Sequence, residues 1–189
     1  MRFCYSQEKI LIRAGKNGGL SKRLLEVLNL ALEIERKFLV DKRKLHKLNF
    51  FSEEKLAQGY LSRHPTVRVR LTETRGFLTI KSLTKGISRQ EFEYEIPTSD
   101  AEELLKLCGR RVLKKYRRKV EYGGHVWELD FFMGRHAGLV LAEVELSSPD
   151  EPLDLPDWVT KEVSGDTRYF NSNLIDNDLG RSRRKSQTA

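Results

Sequence analysis

The chain has 189 residues, enough for one domain with a buried core and short appendages, which excludes an assembly of several large domains. It is 39% hydrophobic and 33% charged, has no apolar run approaching a membrane span, and carries only Cys4 and Cys108 with no CxxC pair or secretory pattern; a membrane-spanning or disulfide-framed protein is excluded and a cytoplasmic one expected. The formal net charge of +8 points to an anionic partner, whether nucleic acid, a membrane surface or a polyphosphate, without choosing among them.

In chain order, residues 1–20 hold the breaker cluster Lys16-Asn17-Gly18-Gly19 and read as an appendage. Ser21 is placed to cap a helix in which Leu24, Leu25, Leu28, Ala31 and Leu32 recur at helical spacing, and Glu8 and Glu26 argue against an organelle-targeting segment. The helix runs into Glu33-Ile34-Glu35-Arg36-Lys37. Read as a strand, this stretch puts Glu33, Glu35 and Lys37 on one face and Ile34 on the other. Two carboxylates side by side repel unless a cation or a facing basic residue compensates them, and a hard divalent metal is one such compensator. Residues 41–47 predict a short exposed basic helix or loop.

A strand starts at Gln58-Gly59-Tyr60-Leu61, and His64-Pro65 marks a turn. In the strand that follows, Val67, Val69 and Leu71 share the apolar face and Arg68 and Arg70 the other. After a turn at Arg75-Gly76, Leu78 and Ile80 face a core, with Thr79 and Lys81 opposite. The next strand sets Phe92, Tyr94 and Ile96 against Arg89, Glu91, Glu93 and Glu95. Ser99-Asp100-Ala101-Glu102 has the form of a capping box, predicting a helix with Leu104, Leu105, Leu107 and Cys108 on its apolar side and its end at Gly109. Residues 113–122 alternate Tyr116, Val120 and Tyr122 against Lys115, Arg117, Lys119 and Glu121 as far as a hairpin turn at Gly123-Gly124. The return strand sets Trp127, Leu129 and Phe131 against Glu128 and Asp130. After a loop at 134–138, a last strand over 139–146 pairs Glu143 with Glu145 opposite Ala142, Val144 and Leu146. Pro149, Pro152 and Pro156 predict an irregular segment, Asn171 a short final helix, and residues 177–189 a basic tail.

Every charged pair thus stands on the non-core face of its strand. On an open sheet those faces would be wet and cross-paired. About eight strands in hairpin order can instead close into a barrel, which turns the charged face inward and leaves the apolar face to be covered by helices. A lumen lined by both signs is costly unless water, metal and a multiply charged ligand fill it. Arginine and lysine suit phosphate oxygens, and paired carboxylates suit Mg²⁺ or Mn²⁺. Zinc does not fit, since His46, His64, His125 and His136 lack ligand spacing, and no Walker loop or Ser/His/Asp order is present.

Glu33-Ile34-Glu35-Arg36-Lys37-Phe38 resembles the ExExK signature of CYTH-domain proteins, the triphosphate tunnel metalloenzymes. Gln58-Gly59-Tyr60-Leu61, Arg68/Arg70, Ile80-Lys81-Ser82, Ser88-Arg89-Gln90-Glu91, Lys115-Tyr116-Arg117, Glu128-Leu129-Asp130, Ala142-Glu143-Val144-Glu145 and Glu162-Val163-Ser164-Gly165-Asp166 follow in the order typical of small bacterial members. The likeness covers residues 32–176, with 1–31 an N-terminal extension that has no counterpart in compact members. It implies a mainly β, α+β fold: an eight-stranded antiparallel tunnel with helices packed outside. It also implies divalent-metal-dependent hydrolysis of a small triphosphate, most of all inorganic tripolyphosphate.

On this resemblance Lys37, Arg68, Arg70, Lys81, Arg89, Lys115 and Arg117 hold the triphosphate, with Lys161 and Arg168 assigned to it from the closing segment, where Ser164 stands in place of the more common Thr. Glu33, Glu35, Glu143 and Glu145 hold metal, and Glu91, Glu93 and Asp130 complete that shell or position the attacking water; Glu33, Glu35, Lys37, Glu91 and Glu93 form the catalytic set. No membrane or nucleic-acid partner is expected, and a homodimer is left open. Two alternatives stand beside hydrolysis. One is an adenylate cyclase on the same scaffold, and the other a non-catalytic polyphosphate- or RNA-binding module, against which three acidic pairs argue.

Overall fold

The structure is a computed structural model that describes residues 32–83 and 85–176. The helix expected from Ser21 and the basic tail from residue 177 lie outside the described residues, and Leu32, read as the end of that helix, opens a strand. The elements are β1 (Leu32–Val40), β2 (Ser52–Arg63), β3 (Thr66–Leu71), β4 (Gly76–Lys81), β5 (Ser88–Ile96), α1 (Thr98–Leu107), β6 (Val112–Tyr122), β7 (His125–Phe132), β8 (Val140–Glu145), β9 (Val159–Glu162) and α2 (Asn171–Leu174). Short 3₁₀ helices lie at Lys42–Lys47, Gly134–His136 and Thr167–Tyr169.

The strands neighbour one another antiparallel in the order β5-β4-β3-β2-β6-β7-β8-β1, and β1 pairs back onto β5 through Leu32↔Gln90, Glu33↔Arg89 and Ile34↔Ser88. That last ladder closes the eight-stranded barrel. β1 changes partner along its length: beyond Ile34 its free side takes β9, through Phe38↔Glu162 and Leu39↔Lys161. β9 was not predicted, because its four residues follow three prolines and carry no alternation of their own. Gly123 and Gly124, with φ of 59° and 79°, supply the doubly left-handed hairpin turn between β6 and β7 that their sequence predicts.

The outward, apolar face is covered in two ways. Around β1, β6, β7 and β8, Ile34, Phe38, Val120, Trp127, Leu129 and Val144 pack with Leu45 of the first 3₁₀ helix and Trp158 of the proline-rich segment, where the Trp127 and Trp158 rings meet edge to face at 5.2 Å. A loop and the six-residue 3₁₀ helix thus cover this side, with no α-helix on it among the described residues. Across β2, β3 and β4 the cover is α1. A Cβ at Gly59 would lie 2.6 Å from Cys108 Sγ and one at Gly76 2.7 Å from Ala101 Cβ, so two glycines let the helix seat directly on the sheet. The helix face is therefore Ala101, Leu105 and Cys108. Leu107, read as apolar-side, is 70% exposed. Nor does the capping box form: the cap position is Pro97, and the Ser99 hydroxyl lies inside the first turn, 3.3 Å from Asp100 Oδ1.

The interior holds a second apolar cluster. Tyr60, Leu113, Phe132 and Leu141, joined by Leu39, share their strands' inward parity, and Leu139, just before β8, packs onto them with Val163, Leu174 and Ile175 from the closing segment. The short α2 and the turn before it thus stopper one end of the lumen with hydrocarbon.

Candidate active site

From the stopper outward the lumen turns ionic. Along β6 the inward series runs from buried Leu113 to Lys115, Arg117 and Lys119, whose side chains are 1%, 14% and 38% exposed. Solvent access therefore rises steadily away from the stopper, and the charged chamber opens at the other end.

Two networks line the chamber. On the β1–β8–β7–β6 wall, Lys37 Nζ lies 2.7 Å from Glu35 Oε1 and also bonds Glu143, its register partner on β8. Arg117 reaches Glu143 Oε2 at 2.7 Å, forks onto both oxygens of Asp130 at 2.7 Å and touches Glu128; Lys115 bonds Asp130, and Lys119 Nζ lies 2.8 Å from Glu128 Oε1. On the β1–β5–β4–β3 wall, Lys81 Nζ sits 2.8 Å from Glu33 Oε1 and 2.6 Å from Glu91 Oε2, and Arg89 Nε 2.5 Å from Glu33 Oε2. Arg68 and Arg70 converge on Glu93 at 3.1 and 2.7 Å, and the buried Thr79 hydroxyl donates to the same carboxylate at 2.8 Å. Alternation places these side chains: each strand contributes every second residue, and closure makes the eight contributions face one another.

The local electrostatics follow from burial competing with opposite charge. At Lys37 burial disfavours the ammonium, yet Glu143 and Glu35 outweigh it and raise the pKa, so the side chain stays cationic. Burial also pushes Glu33 and Glu143 up, and is overridden at Glu33 by Lys81 and Arg89 and at Glu143 by Lys37 and Arg117; both carboxyls end below the ordinary range. Lys115 goes the other way: burial brings it down to about 8 despite Asp130. Glu35 is raised by burial and by Glu143, and Glu145 by burial and by Glu128, Glu33 and Glu35.

Two features bear on a ligand. Arg68 Nε and Arg70 Nε are buried with no hydrogen-bond partner among the described residues, an arrangement that is costly until an acceptor arrives. Glu145, opposite Glu35 in register, has no basic partner within ion-pair distance among the described residues, and the carboxylates of Glu128, Glu33 and Glu35 act on it more strongly than the ammonium of Lys81. An all-oxygen donor set of this kind suits a hard divalent cation. Among the described residues no three His, Cys, Asp or Glu side chains meet at one point, since pairing with lysine and arginine holds most carboxylates on the walls.

Nearly all the sequence-predicted site residues are thus brought into one chamber: Glu33, Glu35, Lys37, Arg68, Arg70, Lys81, Arg89, Glu91, Glu93, Lys115, Arg117, Asp130, Glu143 and Glu145. Lys161 and Arg168 are not. Both are exposed, and Arg168 is tied to Asp166 at 2.5 Å. Sequence reasoning set Thr79 on the charged face beside Lys81 but gave it no role, and it missed the Gln58–Tyr60 pair as lumenal polar groups, for which inward parity was the available signal. It also over-read the net charge. Residues 32–176 carry 25 Lys and Arg against 24 Asp and Glu, so the excess lies in the flanking segments and the chamber is close to balanced.

The CYTH domain family pattern matches residues 31–174. An inorganic triphosphatase of Acetivibrio thermocellus is 43% identical over 148 residues, spanning 77% of this chain and 94% of that protein. One of Nitrosomonas europaea is 40% identical over 153 residues, 75% of this chain and 95% of that protein. A solved crystal structure of an inorganic triphosphatase superposes with a TM-score of 0.57 at 34% identity, covering 77% of this chain and 95% of that one. Among the described residues no helix is long and apolar enough to cross a membrane.

Proposed function

The chain belongs to the CYTH domain family, and from that premise we propose that it is a divalent-metal-dependent triphosphatase that cleaves a terminal phosphoanhydride bond, with inorganic tripolyphosphate as its substrate. The observation that carries this reading is the convergence of Lys37, Arg68, Arg70, Lys81, Arg89, Lys115 and Arg117 on one chamber, with Arg68 Nε and Arg70 Nε buried and unpaired. Cations already paired with carboxylates can exchange those partners for phosphate oxygens without leaving the wall. Arginine forks suit phosphate geometry, and lysines supply point charges between them.

Glu33, Glu35 and Glu145 would hold Mg²⁺ or Mn²⁺, which suit oxygen donors and would supply neutralisation of phosphate charge and activation of a water. The chain's own groups bind, orient and balance charge. Water oxygen attacks the terminal phosphorus, the bridging P–O bond breaks, and orthophosphate, pyrophosphate and a proton are released. Arg68, Arg70 and Lys81 stabilise charge on the transferred group, and Lys37 and Arg117 the charge that develops on the departing pyrophosphate. The cytoplasm is the compartment this chemistry implies.

A phosphate-release panel over tripolyphosphate, ATP, thiamine triphosphate and long-chain polyphosphate, each with Mg²⁺ or Mn²⁺, tests the proposal. Metal-dependent orthophosphate release from tripolyphosphate is expected. Cyclic AMP with pyrophosphate from ATP would replace the reading with a cyclase, and tight binding without turnover would replace it with an anion-binding module.

A further inference from the structure

That reading uses Arg68 and Arg70 and stops below the rim, where a third guanidinium stands on the same wall. The side chains of Arg68, Arg70 and Arg75 are 13%, 19% and 55% exposed, so the three climb from the chamber to its mouth. Arg75 lies on the turn between β3 and β4, outside the alternation that turns the other two inward. Three contacts fix it there. Thr72, buried just after β3, knots the turn: its N–H donates to the Arg75 carbonyl at 2.9 Å, and its hydroxyl accepts from the Arg75 and Thr74 N–H groups at 3.1 and 3.4 Å. Phe77, a buried ring at an inward position of β4, has its centroid 4.5 Å from the Arg70 guanidinium and 4.7 Å from that of Arg75. One ring thus backs both cations.

The third contact is Glu95, which forks onto Arg75 with Nε to Oε1 at 3.2 Å and Nη2 to Oε2 at 2.6 Å, as Glu93 holds Arg70 one inward step deeper on β5 at 2.7 Å. The fork leaves Arg75 Nη1 with no protein acceptor among the described residues. An exposed ion pair adds little to stability, so the fold gains little from ordering these two side chains. A phosphate is a better reason for the arrangement, because a planar guanidinium that fits a carboxylate fork fits phosphate oxygens in the same way. The stopper closes the other end of the lumen, so the phosphates of a chain too long for the chamber emerge past this rim.

We propose that Arg75 is a specificity residue at the mouth of the chamber: it takes the phosphate that follows the three held inside, so that the protein binds longer linear polyphosphates better than tripolyphosphate. The proposal rests on the triphosphatase reading for the three inner phosphates. Initial-rate kinetics of the full chain on tripolyphosphate and on tetrapolyphosphate, each with Mg²⁺, test it through the ratio of the two KM values. The wild type should favour tetrapolyphosphate. Arg75→Gln should cut that preference by about threefold or more, the scale of one charge-assisted contact partly offset by solvent. Glu95→Gln, which frees the guanidinium from its carboxylate, should instead increase the preference. A pair that merely braces the rim would move both variants in the same direction.

A wild type that favours tripolyphosphate, a ratio unchanged in Arg75→Gln, or a shift in the same direction from both substitutions overturns the proposal. Should Arg75→Gln lose its melting transition, Glu95→Gln decides alone: a larger preference for tetrapolyphosphate upholds the role of Arg75, and an unchanged or smaller one overturns it. Should the wild type release no phosphate from either compound, the triphosphatase reading falls by itself. Calorimetric titration of the two compounds then decides for Arg75: an affinity ratio that falls in Arg75→Gln and rises in Glu95→Gln upholds the rim contact, and equal ratios or no binding at all refute it.

Discussion

The two halves of the lumen are built from the same strands at the same parity, yet they solve opposite problems. In the stopper, Leu113, Phe132, Leu139 and Leu141 bury hydrocarbon against Val163, Leu174 and Ile175 and contribute stability with no demand for a ligand. One inward step further along β6, β7 and β8, at Lys115, Asp130 and Glu143, the same positions bury charge, which weakens folding unless each group is paired. The difference separates the labours of the barrel. Hydrocarbon inside one end and outside the walls holds the fold, and the ionic half is free to be tuned for its ligand.

Substitutions in the two halves should therefore fail in different assays. The largest expected effect is Glu35→Gln, which removes a lumenal carboxylate opposite Glu145: phosphate release should fall by about 100-fold or more while the melting temperature changes little. Near-normal turnover would show that the cation lies elsewhere. Leu141→Ala, in the stopper, should do the converse, lowering unfolding free energy by about 2–5 kcal/mol in a denaturant titration while leaving KM close to wild type in whatever fraction stays folded. A loss of activity without a loss of stability would mean that the stopper takes part in chemistry.

Arg68→Ala should raise KM for tripolyphosphate by about tenfold or more, whereas Arg168→Ala, exposed and paired with Asp166, should leave it within about twofold. Equal effects would put the closing segment back into the site. The smallest effect lies outside both halves, at the His125–Glu151 pair, where Nε2 and Oε1 are 2.8 Å apart. The hydrogen bond to Glu151 raises the His125 pKa, so its contribution is present at low pH and lost as pH rises through that raised value. Glu151, held down to about 2 by Ser147 and His125, contributes above the ordinary carboxylate range and loses this as pH falls toward 2. His125→Gln should therefore lower the melting temperature slightly in mildly acidic buffer and not at alkaline pH.

The charged half was legible from alternation, because a run such as Arg68-Val69-Arg70 or Glu143-Val144-Glu145 states its two faces residue by residue. The turn at Gly123-Gly124 and the helix end at Gly109 were equally local. Closure was not, since the β1–β5 ladder joins residues some 56 positions apart and nothing near Glu33 or Arg89 specifies it. The stopper was hidden for the same reason, although each of its strands left a trace. Leu39, Leu113, Phe132 and Leu141 are apolar residues at the parity that is otherwise charged, and their shared exception marks where the chamber ends. Lys161 and Arg168 were assigned by their place in a motif, and a motif's order does not fix which way an exposed edge residue points.

Where a bound triphosphate lies is the most direct test of the central claim. A crystal structure of the full chain with tripolyphosphate and Mn²⁺, using Glu35→Gln to slow turnover, should show the phosphates inside the barrel against Lys37, Arg68, Arg70 and Lys81. Phosphates bound on the outer surface, with the lumenal ion pairs intact, would contradict the account.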